Sequence, residues 1–458
     1  MTIENIAAAC EGTFVGDRDL VTKEIAGAVT DSRQVQKDYL FIPIKGARVD
    51  GHDFIPQVFE KGALVVLSDH ALPEETGPYI LVSSTTEAMK KIAAFYRTQL
   101  SCKVVGITGS VGKTSTKEMI ASVLEQRYKV LKTEGNFNNE IGLPLTIFKI
   151  RAKHEVAVLE MGISDFGEMH RLAAMARPDI GVITNIGLCH LENLGTRDGI
   201  LQAKTEMFDH LQVDGTVILN GDDDKLSTKK EVNGKPVIFY GVGADSAFDI
   251  KKDIYATDIE NHGLEGMCAK IHTPQGDFDA KIPIPGEHNV YNALAGTAVG
   301  LQLGLSIREI AQGIASVQTI AGRTNLLHVK GMTVIDDCYN ANPVSMKASI
   351  DVLAHTSGRR IAVLGDMGEL GAEEKELHRS IGKAVAASGI DALFCAGTLA
   401  EEYASEAKAN PECEVHYKKT REEMTEELLA YVKEGDTVLV KASHFMEFPK
   451  VVEALTKE

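Results

Sequence analysis

Paired cysteines, long apolar runs and surplus positive charge are all missing from this sequence, and each absence excludes a class of protein. The seven cysteines, Cys10, Cys102, Cys189, Cys268, Cys338, Cys395 and Cys413, are odd in number, scattered and never spaced C-x-x-C. They read as reduced thiols rather than a disulfide framework or a zinc site. No stretch approaches the ~18 apolar residues that span a bilayer. The opening MTIENIAAACEG has an early acid where a signal peptide would carry a basic run. A cytoplasmic protein with no membrane partner is therefore expected. Basic residues number 48 against 65 acidic ones, for a net charge of −17. That argues against a nucleic-acid partner, which needs a broad phosphate-tracking surface. A nucleotide substrate remains open, because a few cations can focus positive potential in one cleft of an acidic protein.

What is present is an ordinary globular composition, 44% hydrophobic and 25% charged over 458 residues. At ~100–200 residues per domain, that length predicts two to four domains. Residues 1–100 read as a small unit. LFIPIKG (40–46), LVVLSD (64–69) and YILVSS (79–84) are short apolar runs stopped by Gly, Asp or Ser, and 85–100 has helical apolar spacing. Polar residues at 98–103 read as a linker. A second unit starts with KVVGITGS (103–110), a strand entering a glycine-rich loop, followed by a helix over 113–128. EVAVLEMG (155–162), DIGVITNIG (179–187) and GTVILNGDD (215–223) are further strands. Apolar strands alternating with helices indicate a parallel sheet covered on both faces. Short runs and turn residues between 237 and 285 predict an antiparallel hairpin region, and 289–304 returns to helix. After Arg323, strand-then-loop segments at 332–340, 360–368, 391–397 and 436–443 alternate with helical stretches. The expected fold class is α/β in three domains: a small N-terminal α/β domain over 1–100, a central P-loop ATPase-type parallel sheet over 101–320, and a C-terminal doubly wound, Rossmann-like domain over 321–458.

The sharpest local signal is Thr108-Gly109-Ser110-Val111-Gly112-Lys113-Thr114-Ser115, set between a strand and a helix. Gly109 and Gly112 let the backbone turn its N–H groups inward without a Cβ clash. Those donors, the positive helix end and Lys113 can bind phosphate oxygens, and the Thr114 hydroxyl can reach Mg²⁺. The loop departs from the strict G-x-x-x-x-G-K-S/T pattern, because Ile107 stands where the first glycine belongs. Such a loop signals a nucleotide phosphate and leaves kinase, GTPase, transporter ATPase and ligase equally open.

Three more residues point to metal chemistry behind it. Glu160 ends an apolar strand, where a carboxylate points toward ligands at the edge of a parallel sheet. His190 lies just past the next strand, and Lys204 sits in AKTE. Taken singly, a strand-end Glu, a loop His and a helical Lys are ordinary surface residues. Their order behind a phosphate loop is what changes the reading.

With TGSVGKT, VLEMG, TNIGLCHLE and AKTE in that order, the sequence resembles the Mur ligase family over essentially its whole length. The resemblance implies that Thr114 and Glu160 bind one Mg²⁺, and that His190 and a carbamylated Lys204 help bind a second. It implies ATP as co-substrate, held by Thr108 to Ser115. His288, Asn289 and Asn292 of GEHNVYN would lie at the adenine, Asp337 at the ribose and Arg323 at the γ-phosphate. Ser32, Arg33, Phe41 and Lys45 resemble segments that hold a uridine diphosphate end. Asn138 and Asn139 match a loop between ATP and the acyl substrate. Asn340 and Asn342 belong to a YNANPxS run which, with LGDMGELG (364–371) and the later His378, resembles the branch that adds D-alanyl-D-alanine. The family commonly carries Lys-Gly-Ser-Arg near its C-terminal end, where this chain has Lys441-Ala442-Ser443-His444. His for Arg removes a permanent cation and a bidentate carboxylate binder.

The implied function is an ATP-dependent ligase that joins D-Ala-D-Ala to UDP-N-acetylmuramoyl-tripeptide through an acyl phosphate, acting as a monomer. Lys113, Lys204, His190 and Arg323 would be the catalytic groups, and the C-terminal domain would bind the incoming dipeptide. Another amide ligase of the same fold, such as the enzyme adding the third residue or a folylpolyglutamate synthase, is the nearest alternative. A P-loop kinase or GTPase and a non-catalytic nucleotide-binding module are the alternatives from other classes.

Overall fold

In the computed structural model, which describes residues 1–457, the chain builds three large sheets in sequence, with a small two-stranded one, Glu231–Val232 against Lys235–Pro236, inserted within the span of the second. The first has five strands in the order Thr13–Val15, Tyr79–Leu81, Val65–Ser68, Tyr39–Phe41, Gly27–Val29, parallel except for the first. The run at 40–46 is strand only over Tyr39–Phe41, because Pro43 has no N–H to continue the ladder. The edge strands Thr13–Val15 and Gly27–Val29 escape a pattern search. They are three residues long and largely half-exposed.

Helix Thr85–Thr98 covers this sheet, capped by Ser84 accepting the Glu87 N–H at 3.3 Å. Its far end is pinned to the central unit rather than released into a free linker. Buried Arg97 donates from Nε to the Ala176 carbonyl (2.9 Å) and pairs with Asp179 (3.3 Å), and Tyr96 donates to the Ile150 carbonyl (2.6 Å). One apolar core therefore runs from Ile3 and Leu40 through Met89 and Leu143 to Leu172 and Ile183.

The central sheet has nine strands. Lys103–Thr108 lies inside it, flanked by Val156–Glu160 and Ile180–Ile183, with Val130–Lys132 at one edge. These strands are parallel, and all but the half-buried edge strand are apolar and largely buried. On the other side Thr216–Asn220, Ile238–Val242 and Ile254–Asn261 continue in parallel. The hairpin expected between 237 and 285 is present as Ile254–Asn261, Met267–Thr273 and Gly276–Ile282, which extend the same sheet antiparallel. Helix His288–Gln302 then packs on helix Lys113–Leu124.

The third sheet runs Asn325–Val329, Met332–Asp336, Asp436–Lys441, Arg359–Gly365, Ala392–Ala396, Glu414–Lys418, parallel but for the first strand. Successive strands Met332–Asp336 and Arg359–Gly365 are separated by the last strand, which opens a crevice at their carboxyl ends, where ligands bind in such sheets. Among the described residues no helix is long and apolar enough to cross a membrane.

Candidate functional site

The phosphate loop is held from its neighbour strand. Thr184 donates its hydroxyl to the Val111 carbonyl (2.7 Å). The Asn185 side chain grips Val111 from both sides, accepting its N–H at 3.0 Å and donating to its carbonyl at 2.9 Å. Ser110 Oγ accepts the Gly187 N–H at 2.8 Å. Gly109 has φ +152°, and a Cβ there would meet Thr184 Oγ1 at 2.0 Å, so only glycine passes. Gly112, at φ +82°, opens the twelve-residue helix Lys113–Leu124 with no side-chain cap. Its first N–H groups are thus free for an anion. Ile107 is a fully buried strand residue, which explains why the first glycine of the strict pattern is dispensable here. Asn185 was not foreseen; its only sequence signal is its place at the end of the next strand.

Behind the loop sit the expected metal groups. Glu160 is buried, with Oε1 accepting from Asn138 Nδ2 at 2.8 Å. Its Oε2 is buried without a hydrogen-bond partner among the described residues, 3.8 Å from Lys117 Nζ. Lys117 is spoken for elsewhere, 3.1 Å from Glu118 and donating to the Thr133 carbonyl at 2.7 Å. A buried carboxylate oxygen with no donor fits a hard divalent cation. Thr114 is buried at the helix start. Lys204 is 1% exposed and makes no ion pair among the described residues. Burial, then the nearby Lys113 charge, push its pKa down to about 8. His190 adopts a left-handed backbone (φ +52°) and reaches across to the third unit, with Nδ1 3.0 Å from Glu369 Oε2. That bond holds the Glu369 carboxyl below its usual range.

Two cavities meet at the loop. The first lies between the central and third units and is lined by Gly112, Ser115, His288, Asn292, Arg323 and Asp337. Asp337 accepts from Lys441 Nζ and Ser349 Oγ, both at 2.6 Å. Burial raises its pKa, and Lys441 and Ser349 more than offset that, so the carboxylate stays charged. The Arg323 guanidinium lies 4.2 Å over the Tyr339 ring. Asn289 is one layer back. Its Nδ2 donates to the Pro285 carbonyl (2.9 Å) and its Oδ1 accepts from Asn292 (2.8 Å), so it orients Asn292 instead of lining the cavity. Asn292 Oδ1 in turn accepts from Thr116 at 2.7 Å, tying this helix to the phosphate helix.

The second cavity is lined by Ser110, Lys113, His190, Asn340, Asn342 and His444, among others. Asn342 has a structural duty as well. It caps helix Pro343–Ala354 in a reciprocal box, its Oδ1 accepting the Ser345 N–H at 2.9 Å while Ser345 Oγ accepts the Asn342 N–H at 3.1 Å. Asn342→Ala is therefore expected to lower stability by about 1 kcal/mol through the cap alone. Asn342→Asp should restore that stability in denaturant titrations whatever it does to turnover. His378, fully buried, accepts the Met367 N–H at Nε2 (3.0 Å) and donates from Nδ1 to the Glu374 carbonyl (2.6 Å). It shapes the 364–371 loop and lines neither of these two cavities. The His444 ring lies 5.7 Å from that of Tyr339.

A third cleft separates the N-terminal sheet from the central unit, with Thr30, Asp31, Gln34 and Tyr39 facing Phe137, Lys149 and Arg151. None of the expected N-terminal contacts Ser32, Arg33, Phe41 and Lys45 lines it, although Asp31 and Gln34 beside them do. Phe41 is fully buried among Val35, Ile55 and Val66, so its ring is core and cannot meet a ligand. Arg33 folds back on Asp31 (2.8 Å), Ser32 gives its carbonyl to Lys61 Nζ (2.9 Å), and Lys45 is exposed on the following loop. Asn139 Oδ1 accepts the Ile141 and Gly142 N–H groups (3.1 and 2.8 Å), starting helix Gly142–Ile147.

Comparison with known proteins places the chain in a family. Residues 24–97 match the model for the Mur ligase family catalytic domain, 107–300 the Mur ligase middle domain, and 322–444 the Mur ligase glutamate ligase domain. The chain is 39% identical to UDP-N-acetylmuramoyl-tripeptide–D-alanyl-D-alanine ligase of Bacillus subtilis, over 99% of this chain and 98% of the relative. A crystal structure of MurF from Acinetobacter baumannii superposes with a TM-score of 0.89 at 31% identity, covering 99% of this chain and 98% of that one. MurF from Thermotoga maritima in complex with ADP gives 0.81 at 31% identity, over 94% and 96%. On these matches and on its own phosphate loop, the chain belongs to the Mur ligase family.

Proposed function

We propose that the chain is the ATP-dependent ligase that joins D-alanyl-D-alanine to UDP-N-acetylmuramoyl-tripeptide, as its Bacillus subtilis relative is named to do. The observation that carries this reading is the meeting of two cavities at one loop. Gly112 and Ser115 line the cavity that holds Arg323 and Asp337, while Ser110 and Lys113 line the one that holds Asn340 and Asn342. A triphosphate in the first directs its tail toward an acyl end and an amine in the second.

The division of labour follows the three units, 1–100 for the uridine diphosphate end, 101–320 for ATP and 321–458 for the dipeptide. The tripeptide carboxylate attacks the γ-phosphate to give an acyl phosphate and ADP. The amine of D-Ala-D-Ala then displaces phosphate to form the amide. Both partners of the first step are anionic. Lys113 and Arg323 supply fixed positive charge where it is needed, without reorganisation during the reaction. Thr114 and Glu160 would hold one Mg²⁺, and His190 and a carbamate on Lys204 a second; when bound they neutralise charge on the transferring phosphoryl group. An unprotonated amine adds CO₂ with loss of a proton, and the low pKa of Lys204 supplies that amine near neutral pH. The His190–Glu369 contact closes the third unit over the cleft, which shields an acyl phosphate from water. The substrates place the reaction in the cytoplasm, and the three units form the site within a monomer.

An acceptor panel tests the reading. With the UDP-linked tripeptide and ATP, phosphate release should depend on D-Ala-D-Ala and stay at background with glutamate, lysine or diaminopimelate. Equal phosphate release with no amine at all would point to a P-loop enzyme that hydrolyses its nucleotide instead.

A further inference from the structure

The N-terminal unit carries a second cluster of ligating groups, outside all three clefts. His52 lies in the short turn Gly51–Phe54 and its side chain is only 7% exposed. Asp50 fixes it. Its Oδ1 accepts the His52 backbone N–H at 3.0 Å and lies 2.7 Å from Nδ1. A carboxylate on Nδ1 takes that nitrogen's proton as a hydrogen bond, so the lone pair falls on Nε2. Nε2 is buried and has no hydrogen-bond partner among the described residues. It faces Asp69 Oδ1 at 3.4 Å.

A lone pair facing a carboxylate oxygen is repulsive unless a cation sits between them. The 3.4 Å gap is close to the ligand–ligand edge of a tetrahedron with arms of ~2.0–2.1 Å. The next residue, His70, completes a set of two imidazoles and one carboxylate whose ligand atoms all lie within 4.8 Å of one another. The Ser68 hydroxyl donates to the His70 carbonyl at 2.6 Å, fixing the backbone at the end of strand Val65–Ser68. The His70 side chain is 57% exposed and its Nδ1 lies 2.7 Å from the same Asp69 Oδ1, so the ring reaches an ion by turning off that contact or through its free Nε2.

We propose that His52, Asp69 and His70 form a binding site for a divalent transition cation of the Zn²⁺ class, with Asp50 as the outer partner that orients His52. Two imidazoles with one carboxylate suit Zn²⁺, Co²⁺ or Ni²⁺, whereas Mg²⁺ and Ca²⁺ prefer all-oxygen sets. Three protein ligands leave one position for water. The site clips the turn at 50–54 to the strand end at 68–70. It is independent of the ligase reading, because occupancy can be measured with no substrate present.

The test uses the full-length protein stripped with chelator, titrated with Zn²⁺ by calorimetry and with Co²⁺ by its visible d–d absorption. Wild type should bind one equivalent at micromolar or lower concentration. His70→Ala, at an exposed position that leaves the fold intact, should weaken that binding by at least about tenfold, and Asp50→Asn by about tenfold through loss of the orienting bond. Glu160→Gln should keep this equivalent, which separates it from any ion held in the catalytic cleft. Equal affinity in wild type, His52→Ala and His70→Ala, or wild-type binding only at millimolar metal, would overturn the proposal and leave a proton as the cation between His52 and Asp69.

Discussion

Lys204→Met is expected to lose ligase turnover by about 10²–10³-fold, the scale seen when one preorganised charge-stabilising group is removed from a site, while the protein becomes more stable. The two effects share one cause. Lys204 is buried without an ion pair among the described residues, and its pKa falls from 10.5 to about 8. Below pH 8 the folded protein must carry a charge there that the unfolded chain carries in water. That costs at most about 3 kcal/mol, at 1.36 kcal/mol per pKa unit. Between pH 8 and 10.5 the unfolded state binds more protons than the folded one, so wild-type stability rises with pH across this window. The gain from Lys204→Met should be full below pH 8 and gone above 10.5, as read by melting temperatures in CO₂-free buffer. Added bicarbonate should narrow the gap for wild type only, because a carbamate replaces the buried ammonium. Lys204→Arg cannot accept CO₂ and should be as inactive as the methionine variant. Turnover within a few-fold of wild type in either would remove the carbamate from the mechanism.

Much of this centre is legible in the chain before any fold is known. The reason is that its core groups are strand ends and a helix start, where local pattern and chemistry coincide. Lys113 and Thr114 follow a glycine-rich loop that ends a strand, and Glu160 closes the strand Val156–Glu160. The supporting groups are hidden because their partners are remote in sequence. Lys441 meets Asp337 across 104 residues, and Thr116 meets Asn292 across 176. Nothing local distinguishes Lys117, which reads as one more helix surface lysine yet is buried against Glu160. The reverse error is Phe41. A resemblance of segments placed it at a ligand, but a strand residue facing the sheet core offers a ligand only its backbone. The N-terminal edge strands fail for a related reason: three residues with half-exposed faces carry too little periodicity to be seen.

Glu160→Gln separates a metal ligand from a structural ion pair. If Glu160 served only to balance Lys117, the amide would cost stability and leave the Mg²⁺ requirement unchanged. The geometry argues otherwise. Lys117 is 3.8 Å away, closer to Glu118 at 3.1 Å, and already donates to the Thr133 carbonyl. Glutamine keeps the volume and still offers an oxygen to Asn138, the partner of Oε1. What it removes is the anionic charge behind Oε2, the oxygen that no protein donor satisfies. The expected result is a fall in kcat of about 10²–10³-fold, as for loss of other groups that stabilise a transferring phosphoryl charge. The Mg²⁺ concentration for half-maximal rate should rise at least about tenfold, since the hard cation loses a charged ligand, and the melting temperature should move little. Asn138→Ala tests the same link from the outer side. It frees Oε1 without altering charge, so it should raise the Mg²⁺ requirement less than Glu160→Gln does. A Mg²⁺ dependence unmoved by Glu160→Gln, together with a large drop in melting temperature, would reassign Glu160 to the ion pair and take the first metal away from this carboxylate.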